Sequence, residues 1–340
     1  MLKGNRMAII EIDSEWRPTV LDLGQVAGAF SFEEGFSRPD WKIIRTAIGQ
    51  AAASDELDAA WADAVVQWVL RIQGDLGGEY RVRCSDEFIM LSALDLTVAS
   101  DLLRFAEATL EKIYAALKEA AWRWEHGKHV LLLFTEDDDY YQYVSFFYAD
   151  GIHAASGGCL IHRDYVHIAM FLGDGRSIRT MLAHELTHNS VVHLRLPLWL
   201  NEGLAVLFQR TPSQWPRDML EGDLRERHLA FWNPESIQRF WSGVSFDEPG
   251  ESNELSYSLA EILVRLLLDQ PGEFGAFVQQ AKWDDAGQTA ALDCLGRDLG
   301  QVAGTFLGEG NWRPYRKSLV ECWEAAKKDK AQGGDKADLK

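Results

Sequence analysis

Between residues 57 and 72 apolar side chains return every three or four positions, as Leu57, Trp61, Val65, Trp68 and Ile72. With Asp55 and Glu56 at the start and Gly74 past the end, that spacing predicts an amphipathic helix. The pattern then shortens. Tyr80, Val82 and Cys84 alternate with charged residues and 88–91 is a compact apolar run, which together predict strands. A second long helix is predicted over 99–121, with Leu102, Leu103, Phe105, Leu110, Ile113, Tyr114 and Leu117 on its buried side. The run VLLLF at 130–134 reads as a strand, and the acidic, aromatic segment 135–147 as a helix. Residues 157–161, the turn at Arg163-Asp164 and 165–171 read as a hairpin. Beyond it the periodicity is helical. Strands and one helix followed by a helical second half predict an α+β fold with a small mixed sheet. Residues 1–78 read as a helical N-terminal extension devoted to packing, 286–325 as a small helical ending, and the charged, Gly-containing 326–340 as a disordered tail.

Composition narrows the function classes. A length of 340 residues fits two domains or one large catalytic domain with additions, and 47% hydrophobic residues with 13 Trp are ample for a core. A net charge of −18 without a basic stripe argues against nucleic acid and anionic membrane surfaces as partners. No apolar run reaches the ~18 residues needed to span a bilayer, and acidic residues stand where a secretory signal needs its apolar segment. Cys84, Cys159, Cys294 and Cys322 show neither close pairs nor a disulfide framework. A cytoplasmic protein with reduced thiols is expected.

The chemistry concentrates in IRTMLAHELTHNSVVHLRLPLWLNEGLAVLFQR, residues 178–210. His184-Glu185-Leu186-Thr187-His188 is an H-E-x-x-H. Four residues apart on a helix, the two imidazoles share a face and can converge on one ion, while Glu185 leans toward the ion's open side. A helix starting between 174 and 177 and ending near 193 is expected to carry them, anchored by Ile178, Met181 and Leu182. A second helix is predicted over 197–210, with Pro197 at its first turn and Thr211-Pro212 closing it. It carries Glu202, fourteen residues after His188, and Gly203, which removes a side chain where the second helix must come close to the first. Two imidazoles, a carboxylate and a water make the four-coordinate arrangement of a catalytic zinc. Val191 and Leu194 stand where a metzincin needs Gly and His. The Gly157-Gly158 pair has two readings. One is an ordinary hairpin turn, the simpler on sequence grounds; the other is the start of an edge strand that an extended peptide could join.

HELTH followed by LPLWLNEGLA resembles the gluzincin metallopeptidases, and more narrowly the peptidase MA-like domains, in which an H-E-x-x-H helix precedes a helix opening on W-L-x-E-G-x-A. The resemblance covers roughly residues 80–282, is specific between His184 and Ala205, and implies a thermolysin-like zincin core over 79–285. Carried over by position, it implies one zinc ion held by His184, His188 and Glu202, Glu185 as general base, and a peptide or protein as substrate. It also implies an oxyanion donor from the helical half. Tyr257, at the opening of a helix predicted over 254–269, is the nearest counterpart; His228 is the other option, although its RERHLAFW setting reads as a surface helix. One departure is plain: Val206 occupies the position where thermolysin has an Asp that supports a ligand histidine. His193 reads as a loop residue, and His153, His162 and His167 as structural residues on or near the hairpin. A different class of function also uses such a groove: a catalytically silent zincin-fold protein that binds a peptide or protein partner. The intact Glu185 favours the enzyme.

Overall fold

The computed structural model describes residues 8–13, 15–148, 157–173, 177–210, 222–268 and 271–337. They form two compact units, one of residues Met1–Glu111 and Arg123–Asn189, the other of Lys112–Trp122 and Ser190–Lys340.

The first unit is built on β1 (Ile10–Ile12), β4 (Arg81–Cys84), β5 (Phe88–Ser92), β6 (His129–Phe134), β7 (Gly158–Ile161) and β8 (His167–Phe171), with the hairpin of β2 (Phe30–Glu33) and β3 (Phe36–Pro39) beside them in sequence. The six strands run in the order β1-β4-β5-β6-β8-β7, and β2 and β3 pair separately. The β5–β6 and β6–β8 pairings are parallel and the others antiparallel, so the sheet is mixed as expected. Every residue of β5 and β6 is buried. That explains why they read as continuous apolar runs rather than alternations: both faces are covered. β7 alternates half-buried and buried residues, the signature of a strand with one face in the core.

Helices α1 (Trp41–Ala51), α2 (Leu57–Leu76), α3 (Leu96–Leu117), α4 (Asp137–Ser145) and α5 (Ile178–Val191) complete the element list to this point. The side chain of Asp40 caps α1 by accepting from Lys42 N and Ile43 N. Trp41, Trp68 and Val69 share one core with Val82, Ile89 and Leu132 of the sheet. Residues 1–78 are therefore not a helical extension. They supply β1 to the sheet, a hairpin, and two helices that cover it. The apolar face of α2 needs a partner surface, and the sheet provides it. Asp63 of α2 also accepts from Thr19 N, Thr19 Oγ1 and Val20 N, which fixes the irregular chain before the hairpin.

Every described element lying wholly within the second unit is helical: α6 (Leu198–Gln209), α7 (Gly222–Phe231), α8 (Ser236–Ser242), α9 (Glu251–Leu267), α10 (Pro271–Gln280), α11 (Gln288–Leu295), α12 (Leu299–Leu307) and α13 (Arg316–Ala337), with short 3₁₀ turns between some of them. A mixed sheet followed by a helical remainder agrees with the α+β class. Gly203 is the close-approach point of α6, although its neighbour is α9 rather than α5. A Cβ there would lie 2.6 Å from the Ala260 carbonyl oxygen and 2.7 Å from Val264 Cγ2. The segment 286–325 closes this unit's core: Trp199 Nε1 donates to Ala286 O, Trp241 Nε1 to Trp312 O, and Trp323 Nε1 to Ser242 O. The charged stretch read as a disordered tail continues α13 as far as Ala337. Its Lys, Ala and Gln residues are good helix formers, and helical propensity needs no apolar face to act.

Candidate metal centre

The burial pattern of α5 separates two faces. Leu182, Ala183, Leu186, Thr187, Asn189 and Ser190 are buried, whereas Met181, His184, Glu185 and His188 are half-buried. Positions 181, 184, 185 and 188 fall on one stripe by the i, i+3, i+4 rule, so the chemical groups share the more open face. Thr187 turns inward and donates from Oγ1 to Ala183 O at 2.8 Å. Asn189, next to His188, packs its amide at 2.8 Å from Nδ1 of His129, the first residue of β6. That bond ties the end of the histidine-bearing helix to a central strand.

On the open face the Nε2 atoms of His184 and His188 stand 3.0 Å apart, with ring centroids separated by 4.6 Å and the planes at 80°. Two nitrogens about 2.0–2.1 Å from one tetrahedral zinc lie about 3.3 Å apart, so the pair already sits near the separation that a shared ion requires. His184 and His188 on α5 and Glu202 on α6 are all half-buried. Glu202 lies in the second turn of α6, whose first turn is set by Pro197: its carbonyl accepts from Leu200 N and Asn201 N. Pro197 is the N-cap, one position ahead of the predicted place. Val206, one turn beyond Glu202, is 5% exposed, so the position occupied by Asp in thermolysin is apolar and buried here. A His–His–carboxylate set with nitrogen and oxygen donors is the chemistry zinc prefers, and these residues fit it.

Glu185 acts electrostatically on Cys159 of β7 and on Tyr148, whose hydroxyl donates to Leu160 O of the same strand at 3.3 Å. Burial is the main cause that pushes the Cys159 thiol up to about 12, with Glu185 adding to it, so this cysteine is a protonated core group and no nucleophile. Among the described residues β7 pairs with β8 on one side only. With Gly157 O accepting from Phe171 N and Cys159 opposite Ala169, Gly158 and Leu160 fall at positions whose backbone groups point away from β8. The Gly157-Gly158 turn thus opens an edge strand, the reading that sequence favoured less.

The remaining residues divide sharply. Tyr257 lies in the second turn of α9, half-buried, its ring edge-on to Phe246 at 5.2 Å. His228 is no surface residue: it is 0% exposed, with Nδ1 accepting from Trp232 Nε1 at 2.9 Å and Nε2 at 3.1 Å from Ser258 Oγ. Burial, reinforced by Arg227, pushes its pKa down to about 4. Both ring nitrogens are committed, which removes it as an oxyanion donor. The flanking Arg, Glu and Arg mark the opposite side of a short helix, and the sequence gives no sign of the single inward polar residue. His167 is buried in β8, as a structural strand histidine should be; Nδ1 donates to Tyr165 O at 2.7 Å and Nε2 accepts from Tyr143 Oη at 2.8 Å. His162 is exposed in the loop before it and His193 follows α5 in a loop. His153 and Thr211-Pro212 lie outside the described residues. Sequence reading missed His129 and Asn189; the available signal was a histidine heading an otherwise apolar strand and an Asn directly after the second ligand. No helix among the described residues is long and apolar enough to cross a membrane.

Compared with known proteins, the sequence matches no family model, and no curated protein matches it.

Proposed function

We propose that the chain is a zinc-dependent metallopeptidase of the gluzincin type, with a thermolysin-like zincin core in which one zinc is held by His184, His188 and Glu202. The observation that carries this reading is the pair of imidazole Nε2 atoms 3.0 Å apart on the open face of α5, in a sequence whose spacing is that of a zinc helix followed by a carboxylate helix. A zinc ion bound there supplies Lewis acidity, bringing a water's pKa toward neutrality and polarising an amide carbonyl. Glu185, on the same open face, accepts the water's proton on its carboxylate and passes it to the leaving nitrogen. Tyr257 donates its hydroxyl to the oxyanion. The outward N–H and C=O of Gly158 and the N–H of Leu160 hold the peptide as an added strand, with main-chain hydrogen bonds setting its direction. Four free thiols, Cys84, Cys159, Cys294 and Cys322, suit a reducing, cytoplasmic setting.

Hydrolysis of a mixed peptide library by the purified protein, with and without a chelator, tests the reaction. Cleavage that the chelator abolishes and zinc restores is expected. A zinc-loaded protein that binds library peptides without cutting any would point to a silent binding protein instead. Tyr257→Phe should lower turnover roughly ten- to a thousandfold with the metal retained; an unchanged rate returns Tyr257 to a packing role against Phe246.

A further inference from the structure

Arg38 of β3 is 4% exposed, an unusual burial for a cation. Its guanidinium is packed among rings, with the central carbon 4.2 Å from the Phe146 centroid, 4.6 Å from that of Tyr143, 5.2 Å from Phe36 and 5.3 Å from Phe147. The hydrogen bonds it makes are long: Nε to Glu33 O at 3.4 Å and Nη2 to Tyr143 O at 3.5 Å. Nη1 is buried and has no hydrogen-bond partner among the described residues. Five donors therefore meet two weak acceptors. Ring faces offset part of the desolvation cost, but a buried guanidinium is stable only when its fork is answered by hydrogen-bonding oxygen. Burial lowers the group's pKa and outweighs the opposing influence of Tyr143, Glu34, Glu33 and Asp75.

A cavity of about 410 Å³ opens onto this arginine. Trp41, Trp68, Tyr143, Phe147 and His167 line it with Arg38; Lys42 and Arg163 add positive charge, and Glu33, Asp40 and Asp164 add negative charge. The acidic groups of the lining are partly occupied: Asp40 accepts from Lys42 N and Ile43 N, and Glu33 Oε1 accepts from Ser31 Oγ. Tyr143 donates its hydroxyl proton to His167 Nε2 and His167 Nδ1 donates to Tyr165 O, so the imidazole offers no acceptor to the guanidinium. Among the lining residues Arg38 supplies a planar guanidinium with an unanswered Nη1, set among aromatic rings. That combination matches a carboxylate, which a guanidinium receives bidentately, on an apolar body that stacks against indole and phenyl rings. The volume is at the lower end for small-molecule sites.

We propose that this cavity binds a small molecule with a carboxylate on a flat apolar body, the carboxylate paired with Arg38 and the body held by Trp68 and Phe147. The site is separate from His184, Glu185 and His188 and does not depend on the peptidase reading. Calorimetric titration of the full-length protein with phenylacetate, methyl phenylacetate and inorganic phosphate tests it. Phenylacetate is expected to bind one per chain, its methyl ester at least about tenfold more weakly, and phosphate more weakly than the acid, because only the acid presents both features. Binding should persist in Glu202→Ala and fall about tenfold or more in Arg38→Met. Equal binding of acid and ester, no binding of the acid at millimolar concentration, phosphate as tight as the acid, or loss in Glu202→Ala would each overturn the proposal. Should Arg38→Met fail to fold, the acid and ester comparison on the wild-type chain decides alone.

Discussion

Histidines in two regions of this protein show how much burial decides about an imidazole. In the interior, His129, His167 and His228 are 3%, 2% and 0% exposed, and burial pushes their pKa values down to about 3, 4 and 4. Each holds a defined partner: Asn189, Tyr143 with Tyr165 O, and Trp232 with Ser258. They are neutral struts whose nitrogens fix neighbouring elements. On the open face of α5, His184 and His188 are half-buried and aim Nε2 atoms at each other, 3.0 Å apart. Two lone pairs cannot share that space without a proton or a cation between them. The same side chain is thus a rigid joint where water is excluded and a neighbour holds the ring, and a candidate ligand where two of them converge. Identity and spacing alone do not separate the cases; burial and partner chemistry do.

Glu185→Gln should break the comparison most severely on the open face. It keeps the stripe of α5 and the three ligand residues but removes the proton acceptor, so turnover is expected to fall roughly 10²–10⁴-fold with zinc content unchanged. Comparable zinc loss in this variant would show Glu185 to be a ligand rather than the base.

Acidification probes the interior struts. Their folded pKa values lie below the ~6.5 of the unfolded chain, so between the two values the unfolded state binds more protons. The stability they confer is complete above about 6.5 and is lost as pH falls toward 4. For His167 and His228 the shifts correspond to about 3 kcal/mol each, as an order of magnitude. Urea midpoints measured from pH 7 to pH 5 should therefore drop steeply. A flat profile over that interval would mean that the imidazoles charge without cost and are no struts.

A smaller effect sharpens the link between the regions, since Asn189 follows a ligand and holds a strut. Asn189→Ala leaves His129 Nδ1 buried without its partner, and a loss of about 1–3 kcal/mol is expected. Equal stability of the variant would show that the amide contributes nothing to anchoring α5.

Much of this could be read from the chain. Helices with a sustained apolar stripe, such as 57–72, and the central strands 88–91 and 130–134 were legible because their burial is either one-sided or complete. The candidate ligand residues stood out because a metal site imposes spacing within single helices. What escaped depends on contacts across long sequence separations. β1 is a three-residue strand, too short for a period to register, and its place is set by pairing with β4 some seventy residues on. The Asn189–His129 bond spans 60 residues. Arg38 sits in a polar-looking hairpin, and its burial comes from Phe146 and Phe147, rings supplied more than a hundred residues later. Nothing local announces such partners. The departure at Val206 was visible in sequence, and the structure adds that it is filled by core packing.

Zinc content is the most direct test of the central claim. Wild-type protein, Glu185→Gln and Glu202→Ala would be equilibrated with zinc, desalted and assayed by elemental analysis. One zinc per chain is expected in the wild type and in Glu185→Gln, with strong loss in Glu202→Ala, which removes the proposed third ligand. Wild-type protein that holds no zinc, or Glu202→Ala that holds as much as the wild type, would contradict the assignment of His184, His188 and Glu202 as a metal centre.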